Sequence, residues 1–363
     1  VRGQVGGELQ IAALTELGLV WGVESDAVGL LLHASRPGAE LRVRVRVEAG
    51  GVWRWEIERG RLDLAELWPV LRERLGKEAS GWSASGRVDL AGEGTWSTET
   101  GLEGELRLAL REGWARSEEL DAELGGVELD LLTQDFSGGV LAQGQVLRVE
   151  KISVGNLDVA EVSSKFGLTG DGVLSVTRLE AAMLGGRVWV WPVSVSLKDM
   201  GVDATAEVEG VSVAELARLT PEAVAGGAGA LDGRVRVNWS LEAGLKFVEG
   251  GLEVSSGEAA TLRLAPLPGF LTDQLPPILT WLSPGLAKDL RRIELGEGEI
   301  EVSSLDLDFS PDGPDGSRTA QVRMIGRPMG KSAVRSLRFE VNLSGDLTRV
   351  LMLGLSDKVT VEF

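Results

Sequence analysis

An alternation with period two limits the fold of this chain more than any other feature. In "LRVRVRV" (41–47), Leu41, Val43, Val45 and Val47 point one way, and Arg42, Arg44 and Arg46 point the other. "VWRWEIE" (52–58) sets Trp53, Trp55 and Ile57 against Arg54, Glu56 and Glu58. The pattern returns in "LEGELRLALRE" (102–112), where Leu106 and Leu108 share a face, and in "GRVRVNWSLE" (233–242), with Val235, Val237 and Trp239. It appears again in "LRFEVNL" (337–343) and "KVTVEF" (358–363). Successive side chains of a strand leave on opposite faces, so each segment reads as a strand with one apolar and one charged face. Such strands belong to antiparallel sheets that meet water on one side. Gly-rich breaks such as "EAGG", "AGEG", "TGDG" and "GEGE" fall between them as hairpin turns do.

Helices are few, and two of them are announced by near-identical text. "DLAEL" (63–67) and "SVAEL" (212–216) both fit a capping box, with Asp63 or Ser212 as N-cap and Glu66 or Glu215 three residues on. Each is followed about twenty residues later by "GRVDL" (86–90) or "GRVRV" (233–237). The offset between the copies, 147 to 149 residues, is too long for a small solenoid repeat and suggests a duplicated strand–helix–strand unit. Helices are expected near 64–76 and 212–220, with a Pro-broken helical patch over 269–291. "DVAE" (158–161) resembles a third copy but runs into strand-like sequence and is read as strand.

Composition removes many kinds of chemistry. The net charge is −18, which disfavours nucleic acid and bare anionic membrane as partners of the general field. There is no Cys, hence no disulfide or thiolate metal site. The one His, His33, rules out a multi-His metal site within the chain. "GRPMGKS" (326–332) has three residues between its glycines where a phosphate loop needs four, so it reads as a connection between strands. "DLDFSPDGPDGS" (306–317) places Pro311 and Ser317 where a calcium loop wants Gly and Glu, and two "PDG" turns explain it better. The carboxylates are spread over polar strand faces. No catalytic, cofactor or metal residue is assigned. The apolar window 269–290 holds two Asp and three Pro and cannot cross a bilayer as one helix.

A sheet with a continuous apolar face must cover it. Few helices are available for so many strands. One solution is to curl the sheet into a trough filled with something apolar. A strand of about six residues runs about 20 Å, comparable with the roughly 15 Å acyl region of one leaflet. The expected fold class is therefore mainly β, a long curled antiparallel β-groove with a few short capping helices.

The order "LGGRV" (184–188), "VSVAEL", "GALDGRV", "VEGGLEV", the Pro-broken helical patch, "DLDF", "QVRMIGRP" and the final "VNLSGDLTRVLMLGLSDKVTVEF" resembles the C-terminal region of the YdbH-like proteins. That region carries the label "dicarboxylate transport" domain and belongs to the wider AsmA-like group that includes TamB. The likeness covers 170–363, giving a division into an upstream groove segment, 1–169, and a YdbH-like domain, 170–363. "GRPMGKS" departs from the Gly-Asn-Pro-like turn of the pattern.

The resemblance implies a passive phospholipid conduit in the periplasm of a Gram-negative cell, anchored to the inner membrane by a segment before Val1. Acyl chains would lie against Val43, Val45, Trp53, Trp55, Leu106, Leu108, Val235, Val237 and Trp239. It also implies a small outer-membrane lipoprotein that adds a strand at the edge carrying Val359, Val361 and Phe363. No cofactor, enzyme activity or nucleic acid is implied. Membrane contact would come through parts outside this sequence. The alternative is a surface or secreted β-solenoid with a closed, dry core, which predicts rungs of constant length. A glycan hydrolase would need paired carboxylates in a Trp-lined cleft.

Overall fold

A computed structural model describes residues 20–25, 29–48, 50–79, 81–135, 139–197, 201–219, 221, 224–240, 244–255, 259–269, 271–273, 275–312, 318–344 and 360–362. The fold is mainly β, with twenty-one strands and four short α-helices among these residues. It divides into two compact units, built mostly from residues 1–154 and 200–363, with 155–199 shared between them.

The first unit is a meander of β1 (Val20–Ser25), β2 (Leu30–Arg36), β3 (Ala39–Val47), β4 (Trp53–Asp63), β5 (Trp82–Ser97), β6 (Gly101–Ser117), β7 (Ala122–Asp135) and β8 (Val140–Val154). Each pairs antiparallel with its chain neighbour. Register shifts interrupt β3–β4 at Arg42/Val43, β4–β5 at Ile57/Gly60, β5–β6 at Ser85/Arg87 and β6–β7 around Gly113. Bulges of this kind bend the bulged strand and increase its twist, which is how a sheet acquires curl. Where Gly86 faces Gly113, a Cβ on Gly86 would lie 3.0 Å from the Gly113 Cα, so glycine permits the close approach.

Helix α1 (Leu64–Leu75) follows β4, and a 3-10 turn (Gly76–Ala79) returns the chain to β5. Asp63 is the N-cap, as its sequence setting predicts: its carboxylate accepts from the Ala65 N–H at 2.9 Å. Pro69 lies inside the helix without ending it. Leu67, 2 % exposed, packs on Ala34 and Ala39, with Leu41, Leu62 and Leu71 beside them. This is a small cluster for so long a sheet.

β9 (Leu157–Leu168), β10 (Val173–Met183) and β12 (Val193–Ser196) lie in the shared stretch. "DVAE" falls inside β9, as a strand. The second unit pairs β11 (Gly186–Val190), β13 (Gly201–Ser212), β15 (Ala230–Ser240), β16 (Gly244–Val254), β18 (Ile300–Asp312), β19 (Arg318–Pro328), β20 (Leu337–Ser344) and β21 (Thr360–Glu362) in that order, all antiparallel. A branch of β14 (Val224–Ala228) and β17 (Ala260–Leu264) joins at β18. Helix α2 (Val213–Leu219) follows β13, and α3 (Pro277–Leu282) and α4 (Pro284–Glu294) follow β17. The Pro-broken patch is thus two helices, separated by Ser283 and started by Pro277 and Pro284.

Unlike the first unit, the second has a large core. Leu231, Ile300 and Ala260 are at most 1 % exposed, and Val213 of α2 and Leu290 and Ile293 of α4 pack into the same cluster. Glu294 is also buried, at 2 % exposure. Its carboxylate accepts from the Leu271 and Thr272 N–H groups, each at 3.0 Å, and from the Thr272 hydroxyl. Burial pushes its pKa up, but these donors outweigh burial and hold it below the usual carboxylate range. The charge thereby ties Leu271 and Thr272 to the end of α4.

The textual repeat is a structural one. In the first unit the Pro37–Gly38 turn before β3 packs on the α1 N-terminus, where the Asp63 N–H donates to the Gly38 carbonyl at 2.5 Å. In the second unit the Leu184–Gly185 turn before β11 does the same at α2: the Ser212 N–H donates to the Leu184 carbonyl at 2.9 Å. Gly38 and Gly185 both take positive φ, 75° and 77°. In each copy two paired strands precede the helix and a third returns beside the second: β3, β4 and β5, then β11, β13 and β15.

Candidate functional site

The registers of the first unit align the alternating residues into apolar rows that run across the strands. One row is Leu32, Val43, Ile57, Gly92 and Leu106. Another is Leu30, Val45, Trp55, Gly94 and Gly104. A third joins Gly60, Leu90, Leu108 and Leu131. At one margin Val47, Trp53, Trp96 and Leu102 form a further row, with the indoles of Trp53 and Trp96 edge to face at 6.5 Å. Directly opposed residues share a face, so these rows are one surface.

Glycines in the second row make room for an indole. A Cβ on Gly94 would lie 2.7 Å from Trp55 Cζ2, and one on Gly104 would lie 2.8 Å from it. The same hypothetical Gly94 Cβ would meet the Glu103 carbonyl oxygen at 2.0 Å. Trp55 therefore lies across a strip where β5 and β6 carry no side chains.

None of the residues in these rows ionises, whereas the reverse face carries the charged residues. There Arg44 pairs with Glu58, Arg61 with Asp89 at 3.4 Å, and Arg111 with Asp130. The hydrogen bond that Arg111 donates to the Asp130 carboxylate raises the Arg111 pKa above its ordinary value. Exposed pairs of this kind add little stability each. Their effect is on register, because a slip of one residue would exchange the two faces.

Among the described residues the apolar face is only partly covered. Val43, Val45, Trp53, Trp55, Leu106 and Leu108 are all only half-buried. Val47 is 61 % exposed, and Trp96 and Leu102 are each 41 % exposed. Among the described residues, Leu67 and Leu71 of α1 roof one end of it. A contiguous apolar surface left open this way marks a place where something apolar binds. With no acid, base or nucleophile in the rows, it can hold hydrocarbon but has no groups for bond chemistry.

Six of the nine residues expected to line a groove come together here: Val43, Val45, Trp53, Trp55, Leu106 and Leu108. The other three lie on β15 in the second unit and need correction or restriction. Val235 is 6 % exposed and belongs to the packed core, and Val237 packs against it. The cause is the roof of α2, α4 and the β14–β17 branch, so these two line a closed interior rather than an open face. Trp239 is in register with Val202 and Leu245, but its side chain lies outside the described residues. Of the edge residues, Val361 pairs with Leu343 in β21, while Val359 and Phe363 lie outside the described residues.

Sequence reasoning missed Leu30, Leu32, Leu90 and Leu131. β2 reads as an unbroken apolar run, "LLLHAS", because Leu31 takes the reverse face opposite Arg44. The signal in β5 was available, since "GRVDL" alternates as "GRVRV" does. Trp189 and Trp191 sit on the charged face: Trp189 opposes Glu207, and the Trp191 Nε1–H donates to the Glu207 carboxylate at 3.2 Å. The Arg234 guanidinium stacks over the Trp191 ring at 4.7 Å. His33 is also on the charged face, opposite Arg42.

Among the described residues no helix is long and apolar enough to cross a membrane. No curated protein and no solved structure matches the chain. The chain does match a protein family, described as "YdbH-like: Intermembrane phospholipid transport protein YdbH", over residues 7–255. The match takes in the meander with its open apolar face and ends before α3, whereas the motifs that carry the sequence resemblance run over 170–363. On this match, which spans more than half its length, the chain belongs to the YdbH-like family of intermembrane phospholipid transport proteins.

Proposed function

We propose that the chain carries phospholipids passively, with acyl chains against the apolar rows of the first unit and head groups toward water. The observation that carries this reading is the set of apolar rows across β2–β7, half-buried among the described residues and 41–61 % exposed at Val47, Trp96 and Leu102. Hydrocarbon laid on it leaves water at roughly 25 cal/mol per Å² without any directional contact, so the cargo is not fixed at one position. A surface without localised polar anchors suits movement along it. No cofactor or catalytic step enters, and the energy and direction of transfer come from outside this chain.

The family's intermembrane role supports a periplasmic site of action, with an anchor in the inner membrane supplied by sequence beyond these residues. β21 pairs with β20 alone among the described residues. Its other edge therefore suits strand addition by a small outer-membrane lipoprotein.

Photo-crosslinking tests the cargo. A benzophenone side chain placed at Val43 or Leu106 should capture phospholipid during expression. The same group at the adjacent Arg42 or Arg107, on the charged face, should not. Equal capture at both parities, or none at either, refutes the reading. Organic extraction of the gently purified protein, followed by mass spectrometry, identifies the lipid.

A further inference from the structure

Helix α3 is the most exposed apolar element among the described residues. Ile278 is 64 % exposed, Trp281 81 % and Leu282 62 %. Their spacing, i, i+3 and i+4, puts all three on one face of the helix. The molecule does not lack a place to bury such residues, since Leu271 and Leu275 just before them pack against the core. Pro277 and Pro284 bound the helix, and α4 behind it is firmly seated, with Leu290 and Ile293 buried.

The charge around this knob opposes that of the chain. Segments 276–292 and 329–338 carry six Lys and Arg: Lys288, Arg291, Arg292, Lys331, Arg335 and Arg338. All six are exposed. Their single acidic residue, Asp289, is engaged by the Ser332 hydroxyl at 3.1 Å and the Ala333 N–H at 2.7 Å. Those bonds hold its pKa below the ordinary value and fasten the β19–β20 connection to α4. Two exposed acids border this surface, Glu297, which faces Arg292 at 3.8 Å, and Glu299, whose carbonyl accepts from the Met329 N–H at 2.8 Å, so the six cations meet three carboxylates. Met329, 52 % exposed, lies on the same connection. A local excess of cations in a chain of net charge −18, beside exposed Trp, Ile and Leu, is the composition of an interfacial membrane anchor.

We infer that α3, α4 and the β19–β20 connection form a docking surface for an anionic lipid bilayer. Ile278, Trp281 and Leu282 enter the boundary of the acyl region, and the basic residues meet anionic head groups. Such a contact would be in addition to any made by sequence outside these residues. A second copy is a poorer occupant, because an isologous contact would set the basic residues of both copies against each other. The inference does not rest on the groove reading.

The test is sedimentation of the purified chain with vesicles of phosphatidylcholine alone and of phosphatidylcholine with 30 % phosphatidylglycerol. Binding should favour the anionic vesicles by at least tenfold and weaken at high salt, at about fivefold per basic residue engaged. The triple variant Ile278→Ser, Trp281→Ser, Leu282→Ser should lose binding by tenfold or more with an unchanged circular dichroism melt, since its side chains are exposed. Lys288→Gln with Arg291→Gln should lose the preference for anionic vesicles. Val45→Asp, on the open face of the first unit, should leave vesicle binding intact while removing co-purified lipid, which separates this inference from the conduit reading. Wild-type protein that ignores vesicles, binds both kinds equally, or dimerises through the α3 face in light scattering overturns the inference.

Discussion

One substitution made at two matched positions separates an open face from a closed one. Val43 and Val235 are both strand valines on the apolar side of an Arg-Val alternation. Val43 is half-buried between Leu32 and Ile57. Val43→Asp therefore forfeits only part of a valine's burial, about 1 kcal/mol. The lower strand propensity of Asp adds up to about 1 kcal/mol more. Val235 is 6 % exposed beneath α2 and α4. Val235→Asp loses about 1.5–3 kcal/mol of burial, and removing a carboxylate from water costs several kcal/mol more. The total is comparable with the roughly 5–15 kcal/mol that stabilises a whole domain. Val43→Asp should remain folded, with a urea midpoint lowered by about 1 M at most, and lose its extractable phospholipid. Val235→Asp should leave the second unit open to proteolysis. If Val43→Asp collapses as Val235→Asp does, its face is covered and the groove argument fails. If it folds and keeps its lipid, the cargo lies elsewhere.

Glu294 predicts an acid-sensitive clasp. Its folded pKa is depressed, so its contribution is present above the unfolded pKa and lost as pH falls through the folded value. Hydrogen exchange should show Leu271 and Thr272 amides protected at neutral pH and released in acid below the ordinary carboxylate range; Glu294→Gln should release them already at pH 7, at a cost of about 1–3 kcal/mol. Leu67→Ala should destabilise the α1 contact by about 2–4 kcal/mol, read as faster exchange in α1 with β15–β16 unaffected. Gly94→Ala should disturb the β5–β6 ladder, because its Cβ would meet the Glu103 carbonyl at 2.0 Å; exchange at Glu103 to Glu105 should rise, and an unchanged profile would contradict the close approach.

The local text of this chain is honest about local structure. "LRVRVRV" and "VWRWEIE" become β3 and β4 with the faces their alternation predicts, because side-chain direction in a strand depends only on parity. "DLAEL" and "SVAEL" start helices because a cap satisfies N–H groups within three residues of itself. The repeat is legible for the same reason: Gly38 and Gly185, Asp63 and Ser212 each act on near neighbours in the fold. The anionic total of the chain, by contrast, hides the cationic surface of α4 and the β19–β20 connection, since composition averages over distance.

Sequence alone determined that there would be paired strands with one oily and one charged side, joined by tight turns and interrupted by a few capped helices. It did not determine which oily side would be covered. "LRVRVRV" and "GRVRV" carry the same alternation, yet Val43 is only half-buried while Val235 is 6 % exposed in a packed interior. Only the tertiary structure decided that, because burial depends on whether residues far along the chain, such as Leu290 and Ile293, return to lie across the strand.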